Sequence, residues 1–349
     1  MKVYSDIIQF RGTHYDFGFA QGKALQGSTL MKNRLRTFSN KKTYRFTVDT
    51  DQFESVIQTF APYINEEIAG LQDALELDRK TTIQQFGGYF TEYGKSGCSI
   101  YTDQTYMVRN YDNAPDTYEG RIVLYAPSDS GYASIGPSMQ ITGRTDGMNE
   151  KGLAMGYNFV NRKQSKDGFM CNMIGRLILE QCATIDDAIA LLKEIPHRTS
   201  FTYVLSDPNE AGIIVEASPR NVVVRQGNIC TNHFDLLTEE NRYRMDDSLR
   251  RTKIMSDEKK NVLQPMDAYH LLNDLDKGIF ATKYGAWSGT LHTALFETEK
   301  GLAGFTIGAD KLPYMIDFYK WAAGDDIYVK RINGNINASI PFAHMKNII

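Results

Sequence analysis

Lys95-Ser-Gly-Cys-Ser-Ile-Tyr101, KSGCSIY, sets a cysteine directly after a glycine, with ninety-seven residues ahead of it. Three readings of that thiol are open: a core side chain, since free cysteines are among the most buried residues, a metal ligand, or a nucleophile that exists in full only once the Gly97–Cys98 bond is cut. The next residues bear on the choice. Taking 98–102 as one strand and 105–109 as the next, joined by a two-residue turn at Asp103-Gln104, paired residues sum to 207. Cys98 then lies opposite Arg109 on one face, with Cβ atoms about 4.5–5.5 Å apart. A guanidinium there favours the thiolate, whereas apolar surroundings would favour the thiol. Asp-Gln is not a favoured two-residue hairpin turn, so a longer loop would slide this register.

Outward from that hairpin, the chain is rich in short strands. TYMVRNY (105–111), RIVLYAP (121–127), GLAMGYNFV (152–160), FTYVLS (201–206), GIIVEAS (212–218), NVVVRQ (221–226) and ALFETEKGLAGFTIG (294–308) carry β-branched and aromatic residues. Turn formers such as Asp207-Pro208-Asn209 separate them, which predicts hairpins and antiparallel pairing. Helical periodicity runs from Asp51, a candidate cap, to about Leu77, with a bend near Pro62. A second block spans about Phe169 to Lys193, broken where Thr184-Ile-Asp-Asp187 forms a capping-box pattern, and a third covers about Pro265 to Leu275. Strands in runs with grouped helices imply an α+β layered fold rather than a doubly wound parallel sheet.

At 349 residues, 42% hydrophobic and 23% charged, the composition is that of a globular protein, and neither repeats nor Pro-rich linkers divide it. A formal charge of −3 with both signs interspersed lacks the footprint of a nucleic-acid binder. MKVYSDIIQF has no signal-peptide core and no run of eighteen apolar residues follows, so the expectation is a cytoplasmic protein without a membrane partner. Cys98, Cys171, Cys182 and Cys230 are too dispersed for a disulfide framework. Cys230-Thr-Asn-His233 lacks the second ligand pair of a zinc site, and no metal or organic cofactor is implied.

Five motifs, GTHYDFGFAQG (12–22), GCS (97–99), RNYD (109–112), DGMNEKGLAMGYNF (146–159) and TNHF (231–234), occur in one order. Together they resemble the acyl-coenzyme A:6-aminopenicillanic acid acyltransferase (penicillin acyltransferase) family, within the choloylglycine hydrolase-like N-terminal-nucleophile hydrolases. The resemblance implies a four-layer αββα sandwich with antiparallel sheets and an autocatalytic cut before the nucleophile. Bile-salt hydrolases of the group lose little more than the initiator methionine. The acyltransferase branch carries a long propiece, here residues 1–97, mostly helical and packing on a main domain of 98–349. Glycine at 97 would leave the carbonyl unshielded and the backbone free for thiol attack. After cleavage Cys98 holds both thiol and α-amine, whose reference pKa of about 7.7–8.0 suits a general base.

By motif match, Arg109 would stabilise the thiolate and Asp112 hold the α-amine, while Asn158 and Asn232 would donate to the oxyanion. Strict alternation from Arg109 turns Asp112 to the opposite sheet face, so this role requires a twist or strand end. The additional arginine of bile-salt hydrolases has no clear counterpart, with Lys283 a stand-in, and Ser99 replaces a common threonine. The expected activity is amide cleavage through a Cys98 thioester. Its acyl group passes to water or to an amine, with a small-molecule amide as substrate, an amine or acyl-CoA as second substrate, and the cleaved fragments staying associated. Two rivals stand beside it: a non-catalytic binding protein that retains the fold, and an unprocessed cysteine hydrolase with His233 or His292 as base.

Overall fold

The computed structural model describes residues 1–39, 49–89, 97–103, 105–160, 164–210, 212–285 and 288–345. Lys95, Ser96 and Gln104, read above, lie outside the described residues. The chain opens with β1 (Lys2–Gly12) and five helices, α1 (His14–Leu25), α2 (Thr29–Ser39), α3 (Thr50–Phe60), α4 (Pro62–Leu75) and α5 (Arg79–Phe86). Then come β2 (Ser99–Asp103), β3 (Tyr106–Asn113), β4 (Arg121–Pro127), β5 (Ser134–Met139), β6 (Gly143–Arg144), β7 (Asp146–Asn149) and β8 (Ala154–Phe159). Helices α6 (Cys171–Gln181) and α7 (Ile185–Glu194) precede β9 (Phe201–Ser206), β10 (Ile213–Ala217), β11 (Val222–Gln226) and β12 (Ile229–Cys230). The last third holds α8 (Asp246–Glu258), α9 (Pro265–Asn273), β13 (Gly289–Glu297), β14 (Leu302–Thr306), β15 (Tyr314–Asp317), α10 (Phe318–Ala322) and β16 (Arg331–Asn335). Among the described residues no helix is long and apolar enough to cross a membrane.

Local chemistry accounts for the boundaries. Thr184 and Asp187 satisfy each other's backbone N–H groups at the start of α7, the capping box expected there. Pro62 has no N–H to continue α3, so it opens α4 at its first turn and the expected bend is a break. Asp49, not Asp51, caps α3 by accepting from the Gln52 amide. Where α1 crosses α4, a Cβ on Gly18 would lie 1.9 Å from the Glu67 carbonyl oxygen and one on Gly70 2.2 Å from that of Tyr15. Glycine in the GTHYDFGFAQG stretch thus lets the two helix backbones touch.

Ten strands form one sheet in the order β11-β10-β9-β8-β7-β5-β4-β1-β16, with β6 beside β5, and six form another, β12-β2-β3-β13-β14-β15. Among the described residues, every pairing between these strands is antiparallel except β1 with β4, which run parallel from Asp6↔Arg121 to Gly12↔Pro127. Alternation sorts side chains between layers. In β8, Met155 and Tyr157 face Ile68, Leu71, Ile174 and Leu177 of the first helical layer. Ala154 turns the other way, and with Leu124 and Ile135 it meets Ile100, Met107 and Phe296 of the second sheet. Behind that sheet, Tyr101, Val108 and Leu295 pack on Met255 of α8 and Leu272 of α9. The result is the four-layer αββα sandwich.

The described elements before Cys98 are woven into this sandwich. Besides β1, which lies between β4 and β16, buried ion pairs join Glu67 of α4 to Arg176 of α6 at 2.8 Å and Arg34 of α2 to Glu119 at 2.9 Å.

Candidate active site

The hairpin that carries Cys98 is slid relative to its expected register. Ser99 pairs with Asn110, Ile100 with Arg109 and Asp103 with Tyr106, so pairs sum to 209. One step beyond the ladder, Cys98 lies opposite Tyr111 rather than Arg109. A slip of two in the sum preserves the face, however, and the long arginine reaches diagonally. Arg109 Nη2 donates to Cys98 Sγ at 3.6 Å, and the backbone N–H of Asp112 donates to the same sulfur at 3.4 Å. Sγ in turn lies 3.8 Å from the Asp112 carbonyl oxygen. Cys98 is 1% exposed and Arg109 0%.

Burial works against the charge of Arg109, but Cys98, Asp146 and Tyr157 outweigh it and hold the pKa above the usual guanidinium range. Its other terminal N–H groups go to the Tyr157 carbonyl, to the Thr145 carbonyl at 2.7 Å and to Asp146 Oδ2 at 2.7 Å. The arginine stem passes over β8, where a Cβ on Gly156 would sit 3.0 Å from Arg109 Cδ. The glycine of the Gly-Tyr-Asn-Phe segment is therefore a close-approach residue.

Asp112 obeys strict alternation, and no twist is needed. Met107 faces the other sheet while Val108 packs toward α9, Asn110 Nδ2 donates to Leu272 of α9 at 2.7 Å, and Asp112 follows Val108 and Asn110. Its carboxylate accepts from Thr290 Oγ1 at 2.7 Å. The main chain of Gly97 runs past the same carboxylate, since a Cβ on Gly97 would lie 3.7 Å from Asp112 Oδ2 and 3.3 Å from Ser288 Oγ. Burial pushes the Asp112 carboxyl up to about 7, against the opposing pull of Arg251 and the Thr290 hydroxyl. Gly97 itself has no left-handed φ.

The side chain missed by the motifs is Arg251, on α8. Its Nη1 donates to the Cys98 carbonyl and to Ser99 Oγ, both at 2.6 Å, its Nη2 to Asn232 Oδ1 at 2.9 Å, and its Nε to Asp247 at 2.8 Å. Lys283, the stand-in offered from sequence, is exposed. Ser248, Arg251 and Met255 are the buried positions of α8 at helical spacing, a face that burial reveals and the polar sequence of the helix does not.

Cys98, Arg109, Asp112, Arg251 and Asn232 are thus joined by direct contacts or shared partners. Asn158 belongs to the same neighbourhood, because its Nδ2 donates at 3.0 Å to the carbonyl of Cys230, the residue paired with Ile100. Asn232 Nδ2 likewise donates to the Phe159 carbonyl at 3.0 Å.

Neither histidine weighed as a base faces the sulfur. His292 Nε2 binds Asp146 at 3.0 Å and its Nδ1 the Tyr118 hydroxyl at 2.9 Å. His233 Nδ1 lies 2.8 Å from Ser248 Oγ and its Nε2 3.3 Å from Asp235. Cys230 of the zinc-like pair contacts Thr202 Oγ1 at 3.1 Å, and burial pushes its thiol up to about 11.

A family model described as acyl-coenzyme A:6-aminopenicillanic acid acyl-transferase matches residues 101–312. No curated protein sequence matches the chain. Among solved structures it is similar to a mutant of the conjugated bile acid hydrolase from Clostridium perfringens, at 15% identity and a TM-score of 0.46, over 71% of this chain and 100% of that one. It is also similar to penicillin V acylase from Agrobacterium tumefaciens, at 17% identity and a TM-score of 0.43, over 66% of this chain and 83% of that one. The N-acylethanolamine-hydrolyzing acid amidase ortholog of Caenorhabditis elegans matches at 9% identity and a TM-score of 0.40, over 58% and 92%.

Proposed function

The chain belongs to the acyl-coenzyme A:6-aminopenicillanic acid acyl-transferase family, and from that premise we propose that it is a self-processing cysteine enzyme that cleaves linear amides through a Cys98 thioester. The observation that carries this reading is the bracketing of one residue by opposite charges. Arg109 touches the sulfur, and Asp112 lies beside the Gly97–Cys98 link whose scission would release an amine.

In the intact chain, Sγ attacks the Gly97 carbonyl carbon while Arg251 holds the Cys98 carbonyl. The C–N bond breaks as Gly97 moves to sulfur, and water then hydrolyses that thioester to leave a Gly97 carboxylate and a free Cys98 α-amine. In turnover the amine takes the thiol proton and the thiolate attacks the substrate carbonyl. The second N–H of the Asn158 and Asn232 amides serves the tetrahedral oxyanion. Removing one such donor typically lowers the rate about a hundred- to a thousandfold. The α-ammonium returns its proton to the departing amine, and the thioester is resolved by water, giving hydrolysis, or by a second amine, giving acyl transfer.

The two fragments, 1–97 and 98–349, remain associated because β1 stays between β4 and β16 and the Glu67–Arg176 and Arg34–Glu119 pairs would otherwise be broken in a dry interior. Denaturing gel and intact mass test the scheme. By share of the 39.5 kDa chain, wild type splits into co-eluting pieces of about 11 and 28 kDa. Cys98→Ala stays whole and inactive. A Cys98→Ala chain that still splits, or that retains amide turnover, refutes the proposal.

A further inference from the structure

Arg109 has two N–H bonds on each terminal nitrogen, and the structure accounts for all four: the Thr145 and Tyr157 carbonyls, Asp146, and the Cys98 sulfur. The first two anchors are main chain. Asp146 is the charged one and the one with a rotatable side chain, so its placement decides which way that corner of the fork turns. Asp146 Oδ2 takes a second bond from His292 Nε2 at 3.0 Å, and His292 Nδ1 lies 2.9 Å from the Tyr118 hydroxyl. The imidazole stacks on Tyr111, with centroids 5.3 Å apart and planes at 18°. Both ring nitrogens are thus engaged, Nε2 with the carboxylate and Nδ1 with the tyrosine hydroxyl.

The line Tyr118–His292–Asp146–Arg109–Cys98 passes from the segment before β4 to β13, to β7 of the larger sheet, and back to β3. Each of the five side chains is at most 2% exposed. A buried ion pair of this kind contributes little to net stability once desolvation is counted, so stability alone does not account for it.

Resting on the reading of Cys98 as the nucleophile, we propose that His292 and Tyr118 act through Asp146 as positioning residues, holding the Arg109 fork against the sulfur and limiting how far the carboxylate draws it away. Without the imidazole N–H, the Asp146 charge is less compensated. It then repels the thiolate more strongly and pulls harder on Arg109, and both effects disfavour ionised sulfur.

Iodoacetamide is the probe, because it needs no substrate. In the processed enzyme, the pH midpoint of Cys98 alkylation is measured by peptide mass for wild type, His292→Leu, His292→Gln and Tyr118→Phe, together with the half-time of self-cleavage of each nascent chain. His292→Leu is expected to raise the midpoint by about one pH unit, a tenfold loss of thiolate below it, and to slow self-cleavage about ten- to a hundredfold. His292→Gln, which restores an N–H donor toward Asp146, returns both readouts to within about threefold of wild type. Tyr118→Phe removes a single oxygen, so it tests the outer link in a chain that folds. It shifts both readouts in the same direction by less. Folded His292→Leu and Tyr118→Phe proteins with wild-type midpoints and half-times overturn the positioning role alone. A wild-type chain that neither splits nor alkylates at Cys98 overturns the nucleophile reading beneath it.

Discussion

Asp112→Asn, placed in a Cys98→Ala chain, isolates the energetic cost of burying this carboxyl. Burial pushes the Asp112 carboxyl from 3.8 to about 7, with Arg251 and the Thr290 hydroxyl opposing but not cancelling it. The folded chain thus holds the proton more tightly than the unfolded chain. Stability from this group is fully present below about pH 4 and is lost as the pH rises through about 7. A shift of about 3 units at 1.36 kcal/mol each corresponds to about 4 kcal/mol. Asparagine is the neutral isostere and still accepts from Thr290 Oγ1, the 2.7 Å partner. At pH 8 the double variant is expected to be more stable than Cys98→Ala by about 4 kcal/mol, which for a chain of this size is a rise in Tm of about 5 °C. The gap should close by pH 4. Urea unfolding of both proteins across that range measures it, and other titrating groups cancel in the difference. Parallel stability curves, or a gap that widens toward acid, would refute the argument that burial raises the pKa of this carboxyl.

The remaining predictions concern the scissile link. Arg251→Met removes the 2.6 Å donor that positions the Cys98 carbonyl and the contact to Asn232, and self-cleavage followed by gel is expected to slow about a hundredfold through lost positioning of the link. Arg251→Lys recovers only part of that, because an ammonium cannot fork between the two partners. Gly97→Ala places a methyl group 3.3 Å from Ser288 Oγ at a residue without left-handed φ. It is therefore expected to be cleaved less than about tenfold more slowly than wild type, since an alanine without backbone strain costs little. Complete arrest would restore backbone freedom as the reason for glycine.

Local signals were legible in the sequence where local physics decides them. RIVLYAP and FTYVLS are strands at the expected bounds because β-branched and aromatic residues bounded by turns leave little alternative. The Thr184–Asp187 capping box and the Pro62 break likewise depend on neighbouring residues only. What escaped needs partners far along the chain. β1 is a strand because Val3, Ser5 and Ile7 find a buried face beside β4, more than a hundred residues away. The two-residue register slip follows from the Asp103–Tyr106 pairing, which sequence leaves undetermined. Arg251 sits beside Arg250 in a polar helix, and only the tertiary contact of one helix face with β2 tells them apart.

The same alternation that seemed to exclude Asp112 explains how one residue could serve as both nucleophile and base. Within a strand, a residue's amide nitrogen is committed to the ladder, so its side chain alone is available for chemistry. Cys98 stands one position before β2. Its sulfur follows the parity of Ile100 toward Arg109 and the larger sheet, while the chain leading to Gly97 passes the opposite face, where Asp112, Ser288 and Arg251 lie. On the proposed reading, cutting that link leaves an amine beside the Asp112 carboxylate and a thiol beside the Arg109 guanidinium. Each field favours the charged form of its own group, so the proton moves from sulfur to nitrogen with both products stabilised. Placed one residue further into β2, Cys98 would have its nitrogen in the ladder and its sulfur on the Asp112 face, where the negative charge would oppose ionisation.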